Sequence, residues 1–294
     1  MKEASKKYIR TDIASEGSSL PESSIIGVDY SEQEILGTSV VRLHIKNEDG
    51  ARALEKPIGH YVTVAFDLHG DQDEILRDNV VSAVSGEIRE LALKMCDKKI
   101  SSVLVAGLGN RRITSDSIGP LCTDSINITR HLGVAGDKKP FPEISAISPG
   151  VLAQTGIETL DLIKGAANSC NPSLVIIVDA LAARSIGRLA STVQISDTGI
   201  SPGSGIGNHR KKIDSESIGF PVMAIGVPTV VDSATLVLDA LERAGISEYP
   251  ESLIPILEEG SSFFVTLKDS DLAVCELSEI LYRALNDFFD SIGE

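Results

Sequence analysis

Strand-like apolar runs alternate with helical segments along most of this chain, and that alternation constrains the fold more than any other feature. The run at 102–106 follows directly on a segment near 73–96 whose apolar residues recur at helical spacing. A second run, at 173–178, begins where another helical segment ends. A strand, a crossover helix and a second strand imply a parallel pair with a right-handed connection. The sequence therefore predicts one α/β domain with a mainly parallel sheet.

The amino-terminal part of the chain shows a different pattern. Residues 1 to about 25 are polar and rich in serine, so we expect them to form an extension outside the core. Alternating apolar and polar residues at 35–45 and 59–66 then predict two strands, joined by a turn at 47–50.

Further elements are expected after the run at 102–106. A helix is predicted over about 116–131, and the Thr-Gly-Ile-Glu run at 155–158 is typical of the capping box that opens a helix. A strand is predicted at 221–227 and a last amphipathic helix at about 270–291.

Composition excludes several classes of function. The 294 residues carry a net charge of −15, which argues against direct nucleic-acid binding because that requires clustered Lys and Arg. No apolar run approaches the ~20 residues that cross a bilayer, and the first ten residues lack the apolar stretch of a signal peptide. We therefore expect a cytoplasmic protein with no membrane partner. Its widely spaced cysteines are expected to be buried free thiols: Cys96, Cys122, Cys170 and Cys275.

Two aspartates follow apolar strands and are the candidate catalytic residues. The strand at 102–106 leads through Gly107-Leu-Gly-Asn110 to Asp116, and the run at 173–178 ends in Asp179. Chemistry in open α/β sheets collects just beyond the carboxyl ends of the strands. Two neighbouring carboxyl groups can share one proton and one water, which is the equipment for hydrolysis. Taken singly, each aspartate could instead cap a helix or a turn.

The glycine-rich segments have alternative interpretations. Gly107-Leu-Gly-Asn110 is a poor dinucleotide-binding motif because Arg112 stands where the third glycine belongs, so the glycines are expected to form a tight turn that directs Asp116 across the strand ends. The segment at 202–208 lacks the Lys-Ser/Thr of a phosphate-binding loop. A nucleotide-binding module remains the non-enzymatic alternative, and nucleotide-dependent thermal stabilisation would reveal it. His209 could join the aspartates around a metal, but we expect neither a metal nor a cofactor.

Six segments, in one order over more than the central half of the chain, resemble the germination protease family. They are 107–120 with Asp116, 149–159, 178–182 with Asp179, 194–199, 202–208 and 226–232. The resemblance implies an endopeptidase of spore-forming bacteria that degrades the small acid-soluble proteins coating spore DNA. It also implies a three-layer, phosphorylase/hydrolase-like α/β fold, with a mainly parallel twisted sheet flanked by helices. The family is more distantly similar to hydrogenase-maturation proteases.

The resemblance also implies how the reaction proceeds. Asp116 and Asp179 would be the catalytic carboxylates of an aspartic-type enzyme without cofactor. Its substrates would be the small acid-soluble spore proteins, its location the spore core, and its assembly a homotetramer. The alternative is a metal-dependent peptidase of the hydrogenase-maturation type, in which the corresponding acidic positions bind nickel. Exhaustive chelation separates the two.

An inactive precursor that cuts itself is a further implication of the resemblance. Residues 1–12 would be a basic propeptide and 13–294 the single α/β peptidase domain, because Arg10-Thr-Asp-Ile-Ala-Ser-Glu16 resembles the family's cleavage site. The cut is expected between Asp12 and Ile13, that is, after Glu or Asp and before a hydrophobic residue followed by Ala. The simplest hypothesis for the inactivity of the precursor is a leader that blocks the cleft.

The groups around the scissile bond are less well determined by the sequence. Backbone N–H groups of the 107–110 turn are expected to stabilise the oxyanion. Arg111, Arg112 and Arg184 are candidates to pair with the acidic residue before the bond, and Ser115 departs from the Pro that many relatives carry there.

Overall fold

A computed structural model describes residues 11–14, 25–67, 74–132, 141–203, 211–246, 248–250, 252–259 and 263–293. The leader residues 1–10 and His209 lie outside the described residues. Within the described residues the chain forms nine strands, in chain order: β1 (Val28–Ile35), β2 (Thr38–Ile45), β3 (Gly59–Ala65), β4 (Ser102–Gly107), β5 (Glu143–Ile147), β6 (Leu174–Ala183), β7 (Thr192–Ser196), β8 (Val222–Asp232) and β9 (Phe264–Val265).

All of these strands belong to one mixed sheet. Its order is β1-β2-β3-β7-β8-β6-β4-β5, and β9 pairs with β8. The β8-β6-β4-β5 half is parallel, whereas β1, β2, β3 and β7 pair antiparallel with their neighbours. Each parallel pair is joined by a long connection that contains at least one helix, as crossovers between parallel strands require. The predicted α/β fold class is confirmed.

Helices cover both faces of the sheet. In chain order they are α1 (Glu48–Leu54), α2 (Glu74–Met95), α3 (Ile118–Asp124), α4 (Leu152–Thr155), α5 (Thr159–Cys170), α6 (Ser215–Ile218), α7 (Ser233–Arg243), α8 (Leu253–Glu259) and α9 (Ser270–Gly293). On one face, Val84 of α2 and Leu281 of α9 pack with Val105 of β4; on the other, Ile163 of α5 packs with Ile177 of β6. Within the described ranges, no helix is both long enough and apolar enough to span a membrane.

The long helix predicted over 116–131 is wrong. A single 3₁₀ turn at Thr114–Asp116 precedes α3, and α3 ends at Asp124. The chain then runs to the edge of the sheet, where the N–H of Thr129 donates to the carbonyl of Ile144 at 3.2 Å. The N–H of Ile144 in turn donates to the Thr129 hydroxyl at 2.9 Å. These sheet contacts at the edge of β5 replace the continuation of the helix.

Two local predictions are also wrong. The expected turn at 47–50 is the start of α1, because the Asn47 side chain accepts the N–H groups of Asp49 and Gly50 and caps the helix. The expected capping box at 155–158 is absent from the described contacts. There the Thr155 hydroxyl accepts the N–H of Ile157 at 3.1 Å, and α5 begins only at Thr159.

The four cysteines are free thiols, as expected, but their exposure differs. Cys122 is fully buried, Cys96 and Cys170 are half-buried, and Cys275 is exposed. Burial raises the pKa of the Cys122 thiol, because a thiolate there would lose its hydration.

Candidate active site

Asp179 lies within a strand rather than at the edge of a loop. β6 continues for four residues beyond it, because the strand stays paired with β8 through an irregularity between Leu181 and Ala182. The Asp179 side chain is nearly buried, and Oδ1 accepts the N–H of Ala180 at 2.9 Å. The expectation that the strand ends at this aspartate is therefore wrong. Its carboxyl group faces a cavity beyond the ends of β4 and β5 instead of capping a turn.

Asp116 is held by the glycine turn that precedes it. The N–H of Asn110 donates to Asp116 Oδ2 at 2.7 Å. Gly109 has φ +113°, and a Cβ there would lie 1.9 Å from the carbonyl oxygen of Asp116, so the turn requires glycine. From β8, the hydroxyl of Thr229 donates to the carbonyl of Ser115 at 2.6 Å. The predicted role of the glycines in directing Asp116 is thus confirmed, and the residue lies in the 3₁₀ turn instead of capping α3.

Both aspartates line one cavity of about 280 Å³. β4 and β6 are adjacent, with Gly107 paired to Val178, so the turn after β4 lies beside Asp179. Apolar side chains form much of the remaining wall, among them those of Leu108, Ile113, Val151 and Ile200. Two carboxyl groups that line one cavity can supply an acid and a base to the same reaction.

Ile13 and Ala14 are part of the core, which contradicts the predicted extension for these two residues. Ile13 and Ala14 are both 0% exposed. Ile13 packs with Ala183, Leu189 and Val231. Ala14 packs in a second apolar cluster, whose buried members are Leu43, Ile45, Leu54 and Tyr61. The sequence does not predict this burial, because two apolar residues in a polar segment are too few to show a helical or strand periodicity.

Backbone contacts hold this segment against the end of β6. The N–H of Asp12 donates to the carbonyl of Ala182 at 2.9 Å, and the N–H of Ala182 donates to Asp12 Oδ2, also at 2.9 Å. The Lys56 ammonium donates to the carbonyl of Thr11 at 3.1 Å. Asp12 also lines the cavity that contains Asp116 and Asp179.

Gln194 on β7 is a contact residue that the sequence did not single out. Its Nε2 donates to the carbonyl of Asp12 at 3.0 Å, and its Oε1 accepts the N–H of Ala14 at 2.5 Å. No local pattern marks it, because β7 reads Thr-Val-Gln-Ile-Ser and polar residues alternate with apolar ones along it.

Several groups expected around the scissile bond are engaged elsewhere. The N–H of Leu108 donates to the carbonyl of Val178 at 2.8 Å and that of Asn110 to Asp116, so these two N–H groups of the turn are not free to stabilise an oxyanion. Of the three candidate arginines, Arg111 pairs with Asp124, and Arg184 pairs with Asp239 and Glu242. Arg112 is exposed.

Within the part of the chain that the structure describes, no group of three or more His, Cys, Asp or Glu side chains is arranged to hold a metal ion. His209, which the sequence offered as a metal ligand, lies outside that part.

Comparison with known proteins identifies the family. A family model described as germination protease matches residues 4–244. The chain belongs to the germination protease family. The germination protease of Caldanaerobacter subterraneus subsp. tengcongensis is 46% identical over 238 residues, which cover 80% of this chain and 72% of that relative. The germination protease of Clostridium perfringens (strain 13 / Type A) is 40% identical over 276 residues, covering 90% and 81%.

One solved structure was also found to be similar. It is a [NiFe] hydrogenase maturation protease, HycI, from Thermococcus kodakarensis KOD1. The match covers 64% of this chain and 97% of the other at 18% identity, with a TM-score of 0.31. The family assignment therefore rests on the sequence matches, and they make this chain a member of a family of proteases.

Proposed function

We propose that this protease is made as a zymogen that cuts its own chain between Asp12 and Ile13 and then cleaves small acid-soluble spore proteins. The observation that carries the proposal is the position of Asp12. Asp12 forms two hydrogen bonds with Ala182 and lines the same cavity as Asp116 and Asp179. This position of the last leader residue supports the hypothesis that the precursor is inactive because its own chain occupies the cleft.

The proposed chemistry uses two carboxyl groups and one water. One aspartate, ionised, removes a proton from the water as its oxygen bonds to the Asp12 carbonyl carbon. The other, protonated, gives its proton to the nitrogen of Ile13 as the carbon–nitrogen bond breaks. The products are the Asp12 carboxylic acid and the Ile13 amine, and the aspartates exchange their protonation states. Asp116 and Asp179 are these two carboxyl groups.

The contacts of the segment support the proposed specificity. The Asp12 carboxylate accepts the N–H of Ala182, a contact that a Glu or Asp side chain can make. Ile13 fills an apolar pocket, and Ala14 lies in a second one that has room for a small side chain. This supports cleavage after an acidic residue and before a hydrophobic residue followed by Ala.

Removal of either carboxylate tests the mechanism. Purified full-length protein and its Asp116→Asn and Asp179→Asn variants are incubated alone and with a small acid-soluble spore protein, and every new amino terminus is sequenced. We expect the unchanged chain to yield a terminus at Ile13 and both variants to yield none. Asp161→Asn, on the exposed face of α5, is the matched control and should behave like the unchanged chain. Full activity in either site variant would remove that aspartate from the mechanism.

The same assay separates this mechanism from the metal-dependent alternative. Processing that survives exhaustive chelation, in protein without metal by elemental analysis, supports the two-carboxylate reaction. Loss of processing on chelation, with recovery on adding nickel or zinc, would contradict it.

We also propose, from the family resemblance, that the protein works in the spore core as a homotetramer. Light scattering on the purified full-length chain tests the assembly. A mass near that of a monomer, 31.2 kDa, would contradict it.

A further inference from the structure

One side chain contacts the peptide on both sides of the bond at which we place the cut. Gln194 Nε2 donates to the Asp12 carbonyl oxygen at 3.0 Å, and Gln194 Oε1 accepts the N–H of Ala14 at 2.5 Å. The bond between Asp12 and Ile13 lies between these two contacts. A primary amide carries a donor and an acceptor side by side in one plane, as a peptide backbone does. Gln194 therefore binds this peptide much as a neighbouring strand would.

The surroundings leave the amide one favourable orientation. If its nitrogen and oxygen were exchanged, two donors would meet at Ala14 and two acceptors would meet at Asp12. Gln194 is 8% exposed, so either mismatch would cost a buried hydrogen bond with little water to replace it. The orientation that places a donor on the Asp12 carbonyl is thus determined by the peptide itself.

The sheet places Gln194 on the same face as Asp179. Gln194 on β7 is paired with Gly226 on β8, and Gly226 is paired with Asp179 on β6. Residues paired in register across a sheet project to the same side. Two strand spacings separate the Cα atoms of Gln194 and Asp179 by about 10 Å. The residue between them is a glycine, and the side chain of Leu181 occupies the space where a Cβ of Gly226 would lie.

We propose that Gln194 aligns the scissile peptide and stabilises the oxyanion formed at its carbonyl, an inference that rests on the cleavage proposed between Asp12 and Ile13. When water adds to the carbonyl carbon, negative charge develops on the oxygen that Nε2 already contacts. A donor aimed at that oxygen stabilises the charged intermediate more than the neutral peptide. Gln194 exchanges no proton in the reaction. After the leader has gone, the same donor and acceptor would bind the backbone of a protein substrate.

Two variants of the full-length chain separate the donor from the bulk of the side chain. Gln194→Met keeps the size but has neither an amide donor nor a strong acceptor. Gln194→Glu keeps the shape and the acceptor, but an ionised carboxyl group has no donor. We expect both to form the Ile13 terminus about 100- to 1,000-fold more slowly than the unchanged chain at pH 8, the loss typical of removing an oxyanion donor.

The dependence of the rate on pH distinguishes this role from a structural one. A protonated carboxyl group offers one donor and one acceptor, the same pair as the amide. The rate of Gln194→Glu relative to the unchanged chain should therefore rise as the pH falls, by up to about tenfold per pH unit until the carboxyl is protonated. The relative rate of Gln194→Met should not change with pH, because its side chain does not titrate.

A neighbouring residue provides the control. The Thr192 hydroxyl lies on the same strand and the same face, is buried, and has no hydrogen-bond partner in the structure as described. Thr192→Val should process at the rate of the unchanged chain. If the Glu variant does not fold, as judged by circular dichroism, the Met variant alone still decides the question of rate.

The outcomes also keep this inference apart from the proposed function. An unchanged chain that never forms the Ile13 terminus and cleaves no spore protein refutes the proposed function. An unchanged chain that processes normally, beside folded Gln194 variants that do so within about twofold of it, refutes the role of Gln194 alone. A Glu variant whose relative rate stays flat from pH 8 to pH 5 would also overturn the proposed donor.

Discussion

A single methyl group at Gly119 should both destabilise the fold and slow the reaction. A Cβ there would lie 2.4 Å from the carbonyl oxygen of Leu108, and 2.6 Å from both the nitrogen of Leu108 and the carbonyl oxygen of Val178. Ordinary contact begins at 3.4 Å. Because all three atoms are backbone, no rotation of a side chain relieves the overlap. We expect Gly119→Ala to move α3 away from the strand ends by about 1 Å.

The size of both effects follows from that displacement. Overpacking of this kind costs about 1–3 kcal/mol, and a rigid backbone neighbour favours the upper end. About 3 kcal/mol should lower the melting temperature by roughly 6–12 °C in a domain of this size. Asp116 is three residues before Gly119, so it moves with α3. A misplacement of about 1 Å at a reacting group can cost about 100-fold in rate.

The assay pairs calorimetry with the rate at which the Ile13 terminus forms. Gly86→Ala is the matched control, because Gly86 is inside α2 and an added Cβ there meets no atom within 4 Å. That variant should be more stable by about 0.5–1 kcal/mol, since Ala is the better helix former. A Gly119→Ala protein that melts within about 1 °C of the unchanged chain and processes normally would refute the close approach.

Three further changes test other contacts. Ile13→Ala empties a fully buried pocket and should cost about 2–4 kcal/mol of packing. Self-processing, followed by timed amino-terminal sequencing, should therefore be at least tenfold slower. An unchanged rate would mean that the pocket does not hold the segment. Arg42→Met leaves the buried Glu87 carboxylate without the guanidinium that now contacts both of its oxygens. Urea titration should show that the free energy of unfolding falls by about 3–5 kcal/mol. A fall of less than about 1 kcal/mol would contradict the importance of this pair. At pH 8 the native protein should be alkylated at the exposed Cys275 and not at Cys122, because Cys122 is buried and its raised pKa keeps the thiol protonated. Peptide mass spectrometry identifies the alkylated cysteines. Labelling of both cysteines in the folded protein would contradict the burial of Cys122.

The parts of the fold that sequence could predict are those with a strong local pattern. The apolar runs that became β4, β6 and β8 and the periodic segments that became α2 and α9 were all recognised. Their order along the chain was enough to expect β4 beside β6. Strands placed side by side put Asp116 and Asp179 at the same edge of the sheet, where both line one cavity.

The parts that sequence missed depend on tertiary contacts. Beyond Asp179 the chain reads Ala-Leu-Ala-Ala, which has little preference for a strand, and it is extended because β8 lies beside it. Ile13 and Ala14 pack against residues of β2, β3, β6 and β8. None of these strands is close to them in sequence. Gln194 has no local signal at all for the peptide it contacts. Its two hydrogen bonds form only when residues about 180 positions apart are brought together.

The burial of Ile13 has a consequence for what happens just after cleavage. Its nitrogen is now an amide that donates to the hydroxyl of Thr11 at 3.0 Å, on the other side of the proposed cut. Hydrolysis would turn that nitrogen into the Ile13 amine, and the departing leader would take the hydroxyl away. A buried amine without its hydrogen-bond partner is less stable than an amine that is hydrated and charged in water. We therefore expect the new end of the chain to move outward to solvent after the cut, which would clear the cleft.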